Sequence, residues 1–279
     1  MKPVEPLFVA PLLPQLDLLL LELLRSLGPS DWERQTVATG WRVKDVAAHL
    51  LDGNLRTLSI LRDGYKGENS SGDGSYESLV AYLNKLNADW TAAFRRVSPI
   101  VVTDLLEITG KPYCDYLQSL DPFAPAFFSV GWAGEAQSQN WFHIAREYTE
   151  KWHHQQQIRF AVGDNGTLLT ERLYFPYLDT SMRALPYHYR TIDARAETAI
   201  RFVIRGLACP SWELVRFDEG WSLCTEYSGP LACSAEIEAN AAWRIFTKGI
   251  GRVEAEAAVR IDGDGRLGTH ILDMIAVMA

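Results

Sequence analysis

The stretch from Trp141 to Val162, WFHIAREYTEKWHHQQQIRFAV, constrains this chain more than any other. As a helix turning about 100° per residue, it holds His143, Glu147, Glu150 and His154 within an arc of roughly 60°. Trp141, Ala145, Tyr148 and Trp152 recur on the opposite side, also at helical spacing. Two arrangements satisfy this pattern. Either the aromatic stripe is core and the acids and histidines are a solvated face, or the acid and histidine stripe looks into a polar interior. Arg146 and Lys151 flank that stripe instead of lying at its centre. The most water-loving residues are therefore not centred on it, which counts against the solvated arrangement and leaves both open.

The rest of the chain supplies partners for such a helix. Gln15 to Leu27 repeats leucine at core spacing and stops at Gly28-Pro29. A second helix runs from about Val43 to Arg62 on Val46, Leu50, Leu58 and Leu61, with His49 beside that face. A histidine in that place is either a satisfied boundary residue or a ligand. Lys66 to Ser75 reads as a flexible polar loop. Tyr76 to Val97 has the cleanest seam, through Leu79, Leu83, Leu86, Trp90 and Phe94. A shorter helical piece, about Val102 to Leu120, is expected to break at Gly110 and Pro112, and an aromatic connection, Phe127 to Trp132, leads into the central helix.

Past Gly163-Asp164-Asn165-Gly166, one more helical segment, about Leu169 to Leu185, ends before Pro186, and then the period changes from helical to alternating. Thr198 to Arg205, Trp212 to Phe217 and Trp221 to Glu226 read as half-buried strands, the last two joined by a hairpin at Asp218-Glu219-Gly220. Ala232 to Glu238 continues as strand, Asn240 to Lys248 as helix, Val253 to Ile261 as strand, and an amphipathic helix runs to Ala279. The expected fold class is α plus α+β: a helical bundle over residues 1–165, a connecting helix over 166–190 and a small sheet domain with helices on one face over 191–279.

Composition narrows the function. The 279 residues are 47% hydrophobic and carry a net charge of −8 without a run of Lys or Arg, which argues against nucleic acid and anionic lipid as partners. Pro11, Pro14, Asp17 and Glu22 interrupt the leucine-rich amino-terminal run, so it reads as an internal first helix and not as a signal or membrane segment. Cys114, Cys209, Cys224 and Cys233 lack C-x-x-C spacing and read as free thiols in a reducing cytoplasm.

No G-x-S-x-G or H-E-x-x-H occurs. What carries chemistry is Glu150-x-x-x-His154, one helical turn apart, with His49 on another helix. Two imidazoles and one carboxylate make a three-point site for Zn²⁺, or another divalent transition metal, with a fourth position open to water or substrate.

The segment Thr39-Gly40-Trp41-Arg42-Val43-Lys44-Asp45-Val46-Ala47-Ala48-His49-Leu50 resembles the G-W-x-V-x-D-x-x-A-H-L text of the mycothiol-dependent maleylpyruvate isomerase family, within the DinB-like superfamily. Thr149 to Arg159 is similar to that family's metal-bearing fourth helix, and Arg260 to Leu267, with the segment to Ala279, to the end of its sterol-carrier-type domain. The resemblance implies a DinB-like four-helix bundle, with His49, Glu150 and His154 as metal ligands and His143 and Glu147 as neighbours. It also implies a catalytic arginine in the second domain, for which Arg205, Arg244 and Arg260 are the candidates. At Gln157 many relatives carry Asp, so a carboxylate able to orient the metal histidine is missing from the sequence.

The implied activity is a zinc-dependent isomerase or S-transferase that uses a low-molecular-weight thiol such as mycothiol. A metal-bound thiol loses its proton near neutral pH and attacks carbon as thiolate. Addition to a conjugated double bond, rotation and elimination isomerise the substrate, whereas stopping at the adduct transfers the thiol. The partners are then a small electrophile and the thiol, on a cytoplasmic monomer or homodimer. The alternative is a DinB-like metal-binding or stress-response protein without efficient catalysis.

Overall fold

The computed structural model describes residues 2–65, 67 and 76–277. Two compact units emerge, Phe8–Ser129 with Ser138–Asn165, and Met1–Leu7 with Val130–Gln137 and Gly166–Met278. The first is helical. It contains α1 (Leu13–Ser26), α2 (Val43–Arg56, continued by a wider π turn over Thr57–Arg62), α3 (Tyr76–Phe94), α4 (Pro99–Ser119) and α5 (Asn140–Val162).

Local chemistry sets the ends of these helices. The Ser98 hydroxyl caps α4 by accepting from Val101 N at 3.3 Å, and Pro99 follows where a missing N–H costs nothing. Helix α5 stops at Gly163, whose left-handed backbone (φ 89°) closes the last turn. Packing then does what propensity cannot. Helix α2 packs on α3, α4 and α5, while α1 packs on α4 and α5. Leu20, Leu24, Val46, Leu51, Val102, Leu106 and Ile158 form the buried centre. Truncating any of these leucines to alanine is expected to cost about 2–5 kcal/mol.

Two helical expectations need correction. Helix α4 runs unbroken through Gly110 and Pro112. Gly110 is a contact point: a Cβ there would lie 2.0 Å from Asp17 Oδ2 on α1, so the glycine permits close approach and does not end the helix. Buried Leu106, Tyr113 and Leu117 on either side hold the helix through the proline. Conversely, α3 is less buried than its seam suggests. Leu79 is 43% exposed, and the firm contacts lie in its last turns, where Trp90 stacks on Phe94 and donates to Ala48 O at 2.8 Å. The expectation for Lys66 to Ser75 lies, apart from Gly67, outside the described residues.

The second unit is a six-stranded sheet in the order β1-β4-β3-β2-β5-β6. Its strands are β1 (Lys2–Pro3), β2 (Ala199–Arg205), β3 (Trp212–Phe217), β4 (Gly220–Thr225), β5 (Cys233–Glu238) and β6 (Val259–Gly263). All neighbours are antiparallel except β2 and β5. The β3–β4 hairpin closes with Phe217 opposite Gly220. Helices α6 (Glu171–Met182), α7 (Leu185–His188), α8 (Ala239–Phe246), α9 (Arg252–Ala257) and α10 (Gly265–Thr269) complete it. Its core is aromatic, with Tyr174, Tyr177, Tyr189, Phe202, Trp212, Trp243 and Phe246 fully buried. Buried phenols find partners, as when Tyr174 donates to Ala239 O at 2.6 Å and Tyr189 to Leu267 O at 2.8 Å.

Three local expectations fail here. The alternation over Val253 to Ile261 is not one strand: Arg252–Ala257 is α9 and only Val259–Gly263 is β6. Val253 is 83% exposed and Arg252 Nε pairs with Glu256 one helical turn on at 2.8 Å, so alanine-rich helical propensity outweighs a short alternation. The final helix is only Gly265–Thr269, capped by Asp264 and followed by a 3₁₀ turn. Ala276 N then donates to Phe246 O at 3.1 Å, drawing the terminus out as extended chain. Pro186 lies inside α7, in the first turn that tolerates it. The short amino-terminal strand β1, pairing Lys2 with Thr225, has no hydropathy signal of its own.

Candidate metal centre

His49 is presented by a tight entry into α2. A β-bridge joins Gln35 to Arg42, and the turn between them passes through Gly40 in a left-handed conformation (φ 81°). Thr36 Oγ1 and Gln35 Nε2 both donate to Trp41 O at 2.8 Å, and Arg42 N donates to Asp45 Oδ2 at 2.9 Å, starting the helix. His49 follows one turn after Asp45. The Trp41 ring rests against it, with centroids 4.9 Å apart.

Helix α5 is buried on both sides, including Tyr148 and Trp152 on the aromatic stripe and His143 and His154 on the other. The acid and histidine stripe is therefore interior. Lys151, a flank in the helical projection, is also buried: its Nζ donates to Asn54 Oδ1 at 2.5 Å, lies 3.4 Å from Asp17 and sits over the Tyr113 ring.

The structure brings His49, Glu150 and His154 together, one ligand atom from each lying within 4.8 Å of the other two. His154 Nε2 is 3.5 Å from Glu150 Oε2. The His49 and His154 rings meet edge-on at 4.5 Å, and Trp41 lies stacked at 6.0 Å from His154. His154 Nδ1 contacts Gln157 Oε1 at 2.9 Å. The orienting group that the sequence lacked as a carboxylate is thus an amide oxygen. The Glu150 side chain is 31% exposed, so the cluster opens at that edge.

The charge states suit a cation. Burial drives the His49 pKa well below its ordinary value, with His154 adding repulsion. Burial alone would raise the Glu150 carboxyl, but its contacts with the His154, His153 and His49 imidazoles outweigh it and hold the pKa well below the ordinary range. His153 is buried, its pKa lowered to about 3 chiefly by desolvation, and its Nδ1 is tied to Thr149 O at 2.8 Å. It is not part of the cluster that His49, Glu150 and His154 form.

The amino-terminal half of the stripe is organised differently. Arg146 Nη2 donates to His143 Nδ1 at 2.9 Å and to Glu147 Oε1 at 2.7 Å, while Tyr113 donates to Glu147 Oε2 at 2.8 Å. Desolvation lowers the His143 pKa to about 4, so the ring is neutral at pH 7. Sequence reasoning missed this network, because the Tyr113 that completes it arrives from α4. It missed the wall made by Trp41 for the same reason.

The three candidate arginines all lie in the second unit. Arg205 on β2 is ion-paired with Glu238. Arg244 on α8 reaches Glu254 at 2.6 Å, and Arg260 on β6 is exposed, opposite Glu236 in register. The four cysteines are free, with Cys114, Cys224 and Cys233 buried. Among the described residues no helix is long and apolar enough to cross a membrane.

No functionally curated protein matches the chain. Among solved structures, mycothiol-dependent maleylpyruvate isomerase and a point mutant of it align over 91% of this chain and 91% of theirs, at 10% identity and a TM-score of 0.49. A UbiJ-SCP2 ubiquinone synthesis protein aligns over 35% of this chain and 90% of its own, at 13% identity and a TM-score of 0.26. The family model for the mycothiol maleylpyruvate isomerase N-terminal domain matches residues 13–159, a span that holds the whole His49, Glu150 and His154 cluster. By that match, which covers more than half of its length, the chain belongs to the mycothiol maleylpyruvate isomerase N-terminal domain family.

Proposed function

We propose that His49, Glu150 and His154 hold a divalent transition metal, zinc foremost, in an enzyme that uses a low-molecular-weight thiol to isomerise or S-conjugate a small electrophile. One observation carries the reading: three ligand atoms of mixed nitrogen and oxygen type converge within 4.8 Å inside a helical bundle. A set of this kind favours Zn²⁺ over harder cations. The residues fit the ion on a second count, since His49 Nδ1 is buried without a hydrogen-bond partner and Glu150 is held ionised. The family's printed name supplies mycothiol as the thiol and maleylpyruvate as the first substrate to try.

When bound, the ion would supply Lewis acidity, making thiolate available near neutral pH. The chain does the rest. Glu150 offsets cationic charge at the exposed edge, and Trp41 covers one side of the imidazoles and excludes water there. Within the same reading, the bundle and the α+β part act as domains over 1–165 and 191–279 joined by 166–190. Arg205, Arg244 or Arg260 would then hold a substrate carboxylate through a two-pronged guanidinium contact.

The test is metal content followed by turnover. Protein purified without chelator should contain one zinc per chain by inductively coupled plasma analysis and should convert maleylpyruvate only with mycothiol present. No transition metal even after reconstitution would overturn the site. Metal without thiol-dependent conversion or conjugation would leave a binding protein and overturn the enzyme. Alanine at the true arginine should raise KM for a carboxylate substrate while leaving zinc content intact.

A further inference from the structure

Gln157 is one turn beyond His154 and 4% exposed, with its Oε1 2.9 Å from His154 Nδ1. An amide oxygen can only accept, so this contact requires the proton of the neutral imidazole on Nδ1. Nε2 then carries the lone pair, and Nε2 is the atom that faces Glu150 Oε2 at 3.5 Å. A lone pair opposite a carboxylate is repulsive unless a cation lies between them. The same geometry that fixes the tautomer thus makes a cation site of the pair.

We infer that Gln157 is the positioning residue of this centre, locking His154 as the Nδ1–H tautomer with Nε2 free for a metal ion. The inference rests on the metal reading above, but its tautomer half stands without metal. Orienting partners of metal-bound histidines are commonly carboxylates or backbone carbonyls. A neutral amide sets the tautomer without adding negative charge, so the site binds its ion less tightly than the same geometry with a carboxylate. No other described contact holds the ring at Nδ1; its remaining ring neighbours, Trp41, His49 and His153, touch it by their faces and edges.

The experiment combines two readouts on the full chain: imidazole ¹⁵N shifts of the metal-free protein, and zinc affinity by competition with a chromogenic chelator. The wild type should show His154 protonated at Nδ1. Gln157→Leu should mix the tautomers and weaken zinc binding on the order of 10- to 100-fold, with the melting temperature of the metal-free protein unchanged. Gln157→Glu, which keeps the length and adds charge, should retain Nδ1–H and bind zinc more tightly than wild type. A wild-type His154 protonated at Nε2, or a Gln157→Glu variant that binds zinc more weakly than wild type, would mean that the amide donates, and would overturn the inference. Equal zinc affinity in all three proteins would overturn it too. A wild type with Nδ1–H that takes up no zinc would instead defeat the metal reading and leave the tautomer assignment standing.

Discussion

The two halves of the α5 stripe use the same residue types to opposite ends. At His143 and Glu147 the acceptors meet donors: Arg146 serves both, and Tyr113 caps the carboxylate. At Glu150 and His154, with His49 opposite, ligand atoms face one another, and among the described residues no guanidinium or hydroxyl group bridges them. A buried polar cluster is stable only when satisfied. In the first half the Glu147 carboxylate and His143 Nδ1 meet protein donors, although His143 Nε2 stays buried without a partner; in the second half a carboxylate and two imidazoles face one another, and one arginine at position 146 marks the difference.

Removing a ligand breaks the comparison most severely. Glu150→Ala or His154→Ala should lower zinc affinity by about a thousandfold or more, while the metal-free melting temperature changes little. Titration against a chelator checks this, and an intact affinity in either variant would remove that residue from the site. At the other half the effect should be on stability. Glu147→Ala leaves the largely buried Arg146 guanidinium without its carboxylate and should cost about 3–5 kcal/mol in denaturant unfolding. Zinc affinity should hardly move, and a large loss would show that the halves are coupled.

The pH dependence sharpens the same contrast. His143 has its pKa depressed to about 4 in the fold, against the ordinary 6.5 when unfolded. The unfolded state therefore binds the extra proton first. Its contribution is fully present above pH 6.5 and is lost as pH falls toward 4, by about 3 kcal/mol in all. Unfolding of the metal-free protein at pH 7 and pH 4.5 should show the loss, and His143→Gln should flatten that part of the profile. The smallest effect is expected at His153. Its ring adjoins His154 at 3.9 Å but lies outside the cluster of His49, Glu150 and His154. His153→Ala should weaken zinc binding by less than about tenfold, well below the loss on mutating a ligand. Equal losses in the His153 and His154 variants would mean that the wrong neighbour has been assigned.

The sequence by itself carried whatever depends on periodicity and local punctuation. The leucine spacing of α1, the Gly163 stop of α5, the β3–β4 hairpin and the one-turn separation of Glu150 from His154 were all legible, since helix and strand geometry translate spacing directly into faces. Which face of α5 is buried was not legible, because it is buried on both, and Lys151 is paid for by Asn54 and Asp17 from other helices. Gly110 read as a breaker because its reason, the Asp17 carboxylate 2.0 Å from an imagined Cβ, lies on α1. The short elements α9 and β6 went astray because a few alternating residues suit helix and strand alike until neighbours decide. His49 shows the division most clearly. Its spacing placed it beside an apolar face, but only packing of α2 on α5 brought its imidazole to 4.5 Å from that of His154. Distances between helices depend on side chains far apart in the chain, and no local pattern contains them.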